Sequence, residues 1–159
     1  GGTMVSRDDV SGWPIVGAAA RSVGTVFVDR ADVKSGAATI RMIQKHLEDG
    51  QTIALFPEGT TFSGDDVRPF HGGAFVAAAR AGAEVLPVGL AYPASSGAAF
   101  VNEPFLTHLG RMARTRRTRM ALVVGTTILT TGMRASAICE RARAEVSRLV
   151  VEARQVCGP

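Results

Sequence analysis

The sequence predicts an α/β fold: a mostly parallel central sheet flanked by helices. Three observations carry this. Short apolar runs of strand length alternate along the chain with segments of helical period. The first three runs are joined by helix-length connections, a β-α-β-α-β order that suits a parallel sheet with right-handed crossovers. The chain has 159 residues, 46% hydrophobic and 20% charged, enough to build a packed core.

In chain order, "GTVFVDR" (24–30) alternates apolar and polar residues and reads as the first strand, with Asp29 and Arg30 at its exit. Asp32 or Ser35 can cap the following helix, whose apolar stripe is Ile40, Ile43 and Leu47 and whose end is Gly50. "TIALF" (52–56) is a continuous apolar run, expected to be a strand buried on both faces. "GGAFVAAARAG" reads as a short apolar helix closed by Gly82. "VLPVGLA" (85–91) is the third strand, in which Pro87 has no N–H to give a ladder and so marks an edge, a bulge or a break. Residues 103–113 read as a short amphipathic helix, and "MALVVGTTI" (120–128) as a fourth strand. In the long last helix Ile138, Ala142, Val146, Leu149, Val150 and Ala153 share one face, and Arg141, Glu145, Arg148 and Glu152 make the wet face.

The net charge is +4, and only Lys34 and Lys45 among the basic residues are not arginine. This reflects either a coding bias toward arginine or affinity for an anion: lipid phosphate, cofactor phosphate or nucleic acid. Cys139 and Cys157 fall on one helix. Their separation is about 27 Å, beyond disulfide reach, and no Cys/His spacing matches a metal site. A reducing, cytosolic compartment is expected. No apolar run approaches the ~20 residues of a membrane span, and no signal-peptide pattern is present.

Ligands of open parallel sheets bind beyond the carboxyl ends of the strands. One such end carries Asp29 and Arg30. The next carries "FPEGTT": Phe56, Pro57, Glu58, Gly59, Thr60 and Thr61. Arg30 suits a phosphate, being planar, permanently charged and bidentate. Glu58 would repel phosphate, so it orients Arg30, accepts a substrate hydroxyl, or braces the loop. Gly59 permits positive φ and close backbone approach, and the threonines add hydroxyls. An ordinary β-α turn with an Arg–Glu pair and no ligand satisfies the same residues.

These residues resemble the glycerolipid acyltransferases, which acylate lysophosphatidic acid and related acceptors. Gly24-x-x-Phe27-x-x-Arg30 is similar to the family's second motif, and Phe56-Pro57-Glu58-Gly59-Thr60 to its third. "VSGWPIVGAAARSVGTVFVDR" resembles the approach to the second motif, "VRPFHGGAF" the stretch after the third, and "VLPVGL" the fourth. The resemblance implies a glycerol-3-phosphate acyltransferase-like α/β fold over one domain, 1–159. It implies an O-acyltransferase of phospholipid biosynthesis, peripheral at the cytoplasmic face of a membrane, with this chain itself soluble. It implies a lysophospholipid acceptor, acyl-CoA or acyl-carrier protein as co-substrate, and no cofactor or metal. Gly24, Phe27 and Arg30 would bind the acceptor phosphate. Phe56, Pro57, Glu58, Gly59, Thr60 and Thr61 would shape the acceptor pocket, and Pro87 would line the acyl side.

Two departures qualify this. The family's first motif is His-x4-Asp, whose His is the general base and whose Asp orients it. Here Gln51, Val76 and Ala113 stand five residues after His46, His71 and His108. The motif precedes the Trp-Pro segment in the family, and the chain opens Gly-Gly-Thr rather than Met, so a truncated N-terminus is expected; a naturally baseless lipid- or acyl-CoA-binding module is the alternative, and His71 near Asp65 and Asp66 the remaining candidate base. Second, many relatives carry Arg where Thr61 stands. That opens the acceptor to other headgroups, including a lyso-aminolipid, with Arg68 as the residue that would restore the charge.

"GRMARTRRTR" holds Arg111, Arg114, Arg116, Arg117 and Arg119. It reads as a solvated loop, an anionic-lipid contact or a CoA phosphate contact. Nucleic acid is not expected, because no aromatic platform is interleaved with the charges.

Overall fold

A computed structural model describes residues 2–7, 26–28, 33–62, 64–100 and 103–158. Its elements are β1 (Gly2–Arg7), β2 (Val26–Val28), α1 (Val33–Glu48), β3 (Thr52–Ala54), α2 (Gly73–Ala81), β4 (Val88–Ala91), a 3-10 turn (Ala94–Ser96), α3 (Phe105–Arg114), β5 (Ala121–Val124) and α4 (Ala135–Cys157). They fall into two compact units. The first takes in Gly1–Pro57, His71–Glu84 and Leu129–Cys139; the second takes in Glu58–Phe70, Val85–Ile128 and Glu140–Pro159.

The first unit holds a parallel three-stranded sheet in the order β2-β1-β3. Residues 5–7 of β1 pair with β2, and residues 2–4 pair with β3. The central strand, "GTMVSR", was not expected from the sequence, because it has no apolar run and weak alternation. The expected first strand is present at Val26–Val28; its flanks, with Gly24 and Arg30, lie outside the described residues. β3 departs from expectation in length and burial. It ends at Ala54, Thr52 and Ala54 are exposed, and Phe56 beyond it is 69% exposed. The reason is its place at an edge of the sheet, paired only with β1 among the described residues.

α1 begins at Val33, which places Ser35 inside its first turn rather than at the cap, while Asp32 lies outside the described residues. Its end follows the expected chemistry. Gly50 takes φ +73°; its N–H donates to Leu47 (3.0 Å) and that of Gln51 to His46 (3.0 Å). This is a Schellman closure. Ile43 is buried, Ile40 and Leu47 half-buried, and a Cβ on Gly73 of α2 would touch Ile40 at 3.4 Å. α1 and α2 therefore pack closely through their apolar sides. Gly82 closes α2 as expected, its N–H donating to Ala78.

The second unit pairs β4 with β5 antiparallel, Val88 opposite Val124 and Ala91 opposite Ala121. The expected parallel series thus gives way here to an antiparallel pair. One face of it packs on α4 through small residues: Ala91 and Ala121 are buried with Ala153 and Cys157. The approach is very close, since a Cβ on Gly89 would lie 2.4 Å from the Leu149 carbonyl carbon. Cys157 is a buried free thiol that donates weakly to the Ala91 carbonyl (3.6 Å). The expected α4 stripe is present: Ile138, Ala142, Leu149 and Ala153 are buried. On the wet face Arg148 bridges Glu145 (2.8 Å) and Glu152 (2.9 Å).

Candidate acceptor site and the family of the chain

β2 and β3 both run parallel to β1, so their carboxyl ends point the same way, with β1 standing between them. α1 is the connection between them. β2 ends opposite Arg7 and β3 opposite Met4, a stagger of three residues, about 10 Å along the strands. Residues 55–57 are long enough to span that offset. Phe27 lies in β2 opposite Ser6. Gly24 and Arg30, the other expected phosphate-binding residues, lie outside the described residues.

Pro57 closes the first unit's share of the motif. It is half-buried, and its carbonyl accepts the His71 N–H (2.8 Å). Glu58 belongs to the second unit and has a definite partner: Oε2 accepts the Arg68 backbone N–H at 2.9 Å. Of the roles open to Glu58, the structure displays the loop brace. Gly59 follows at φ +78°, in the region that favours glycine, as its place in a tight turn requires. Thr60 and Thr61 are exposed. The Arg68 guanidinium sits over the Phe62 ring, 4.8 Å from its centroid.

The loop is laced to α4. Arg154 donates to both oxygens of Asp65 (2.8 and 2.6 Å) and also to the Tyr92 carbonyl. Arg143 donates to the carbonyls of Arg68 (3.2 Å) and Val67 (3.0 Å). The Arg154 guanidinium holds the Asp65 carboxyl below the usual carboxylate range. Asp65 is thus engaged by Arg154, not by His71. Sequence reasoning missed these two arginines. Their spacing of eleven residues, three helical turns, puts both on one face of α4 and is the signal that could have found them.

Pro87 is buried at a local break. The ladder stops between the isolated bridge Val85–Ile128 and the start of β4 at Val88. Pro87 gives no N–H there, but its carbonyl accepts Gly125 N–H (2.9 Å).

A second polar cluster lies on α3 and was not foreseen. Glu103 receives Arg111 on both oxygens (2.6 and 2.5 Å), and Arg111 also donates to the carbonyls of Gly97 (2.9 Å) and Ala99 (3.3 Å). His108 Nδ1 is 3.0 Å from Glu103 Oε1 and 2.9 Å from Arg111 Nη2. Protonated, that nitrogen donates to the carboxylate; unprotonated, it accepts from the guanidinium. Hydrogen bonds from Arg111 first, and from His108, hold the Glu103 carboxyl at about 2. The spacing Glu-x4-His-x2-Arg is the reverse of the family's His-x4-acid order. With its carboxylate saturated by Arg111, the cluster works as a clasp between α3 and the preceding loop.

No group of His, Cys, Asp and Glu suited to a metal is present among the described residues. No helix among them is long and apolar enough to cross a membrane.

The Acyltransferase family model matches residues 2–91, a span that takes in β1 through β4 and every residue predicted for the site. The chain is 34% identical over 120 residues to the lyso-ornithine lipid O-acyltransferase of Pseudomonas aeruginosa, covering 72% of this chain and 46% of that protein. It is 33% identical over 95 residues to the 1-acyl-sn-glycerol-3-phosphate acyltransferase of Neisseria gonorrhoeae, covering 60% and 37%. The chain thus spans less than half the length of these curated relatives. Its fold is similar to that of the 1-acyl-sn-glycerophosphate (LPA) acyltransferase PlsC from Thermotoga maritima, with a TM-score of 0.66, 21% identity, and coverage of 96% of this chain and 58% of that one. From a family match across more than half its residues, with the motifs in order within it, the chain belongs to the acyltransferase family.

Proposed function

We propose that the chain is the acceptor-handling part of an O-acyltransferase that moves a fatty acyl group from acyl-CoA or acyl-carrier protein to a lysolipid hydroxyl. The observation that carries this is the family match over residues 2–91, which contains the whole "FPEGTT" turn and its glycine at positive φ. In this reading Gly24, Phe27 and Arg30 bind the phosphate of an acceptor that carries one, Phe56 to Thr61 shape the headgroup pocket, and Pro87 lines the acyl side. Glu58 uses one carboxylate oxygen to hold Arg68. Its other oxygen suits a hydroxyl or a cationic headgroup.

The acceptor class rests on Thr61. With threonine where many family members carry arginine, the turn has one fewer cation for phosphate. Relatives named for lyso-ornithine lipid and for 1-acyl-sn-glycerol-3-phosphate both match the chain. We assign the lyso-aminolipid as the preferred acceptor over lysophosphatidic acid. In the transfer itself, a base takes the proton of the acceptor hydroxyl as its oxygen attacks the thioester carbonyl, and the thiol leaves. None of His46, His71 and His108 stands in His-x4-Asp spacing, so the reading gives these residues no part in that step. The same observation favours a second reading, a module that retains acceptor or acyl-CoA without turnover.

Labelled acyl-CoA, offered with lyso-ornithine lipid or lysophosphatidic acid, separates the two. Labelled diacyl product supports the enzyme, and saturable retention without product supports the module. Neither product nor retention would remove both.

A further inference from the structure

α3 is amphipathic in the opposite sense from a core helix. Its polar side is held against its own unit: Arg111 clasps Glu103 and the Gly97 carbonyl, and the His108 ring lies 4.9 Å from that of Phe100. Part of its apolar side is in water, although Met112 is half-buried. Leu106, Leu109 and Ala113, at i, i+3 and i+7, share a face; Leu106 is 78% and Leu109 41% exposed. An ordinary surface helix turns that stripe inward. Here the clasp fixes the rotation that keeps it outward.

The chain continues directly into Arg114, Arg116, Arg117 and Arg119, all exposed and without an ion pair among the described residues. Residues 104–120 contain no Asp or Glu. Exposed leucines and uncompensated arginines therefore follow one another along residues 106–119 of one unit. A polyanion in solution would use the arginines and leave Leu106 wet. A bilayer interface takes both, the leucines at the acyl boundary and the arginines among the headgroup phosphates.

We propose that α3 and residues 114–119 form a docking surface for an anionic lipid bilayer. The helix is about 15 Å long; it lies in the interface and does not span. The assignment is independent of the acyl-transfer reading, because vesicle binding is measured with no acyl donor present.

The test is co-sedimentation of the chain with phosphatidylcholine vesicles with and without phosphatidylglycerol, across a salt series. Binding is expected only with the anionic lipid and should weaken as salt rises. Arg116→Ala and Arg117→Ala should each lower it about fivefold. Leu106→Glu with Leu109→Glu should lower it at least tenfold, with the circular dichroism spectrum retained. Val151→Glu, an exposed apolar position on α4, should leave binding unchanged. No vesicle binding, equal binding to neutral vesicles, or equal loss in Val151→Glu would overturn the proposal. So would a dimer abolished by the leucine substitutions, which would give the face to a second copy, or oligonucleotide binding that outcompetes the vesicles.

Discussion

Glu58 accepts the Arg68 amide across its loop, and this contact sets what its substitution should do. A hydrogen bond to a charged group contributes about 1.5–3 kcal/mol when well formed, and less at a half-exposed site. Glu58→Ala should therefore raise amide exchange at Arg68 about tenfold, while Glu58→Gln, which keeps an acceptor oxygen, should raise it less. Exchange at Arg68 unchanged in both variants would remove the brace. Gly59 sits at φ +78°, where a Cβ costs about 1–2 kcal/mol. Gly59→Ala should lower the urea midpoint accordingly. Glu103 is the third informative residue. Its carboxyl is held at about 2 against an ordinary 4.5. A depressed carboxylate pKa gives stability that is present above the ordinary value and lost as pH falls through the folded one. The α3 clasp should thus persist at pH 4.5 and release as pH falls toward 2. A Glu103 carboxyl carbon titrating near 4.5 by NMR would contradict this.

At the scale of elements, β4 packs very closely on α4. A methyl group on Gly89 would meet Leu149 backbone at 2.4 Å, which cannot be relieved by turning a side chain. Gly89→Ala should destabilise the protein by about 3 kcal/mol or more, read by denaturant unfolding; a loss under 1 kcal/mol would show that the two elements separate readily. The same scale shows where sequence reasoning succeeds. The α4 stripe, the Schellman end at Gly50, the α2 stop at Gly82 and the break at Pro87 all follow from local rules of period and φ, and all were legible. β1 was not, because its six residues have no apolar run and gain their structure from pairing on both sides. The edge position of β3, the antiparallel direction of β5 and the Arg143 and Arg154 bonds to the 58–70 loop are likewise long-range. No local pattern encodes them. Glu58, Gly59 and Pro87 stood out in the sequence as candidates, but the atoms that Glu58 and Pro87 engage, the Arg68 and Gly125 amides, did not.

At the scale of the molecule, motifs in family order, a matching α/β fold and a family match over residues 2–91 place the chain among acyltransferases. The proposal built on that membership is that its "FPEGTT" turn receives a lysolipid headgroup. Arg30→Ala should then weaken lysophosphatidic acid much more than lyso-ornithine lipid, and equal loss for both would deny Arg30 a phosphate. The most direct measurement is equilibrium binding of labelled lyso-ornithine lipid, below its micelle concentration, to the unaltered chain and to Glu58→Ala. The account predicts saturable binding that weakens at least tenfold in the variant while the circular dichroism spectrum is kept. Non-saturable binding, or equal affinity in the two proteins, would contradict it.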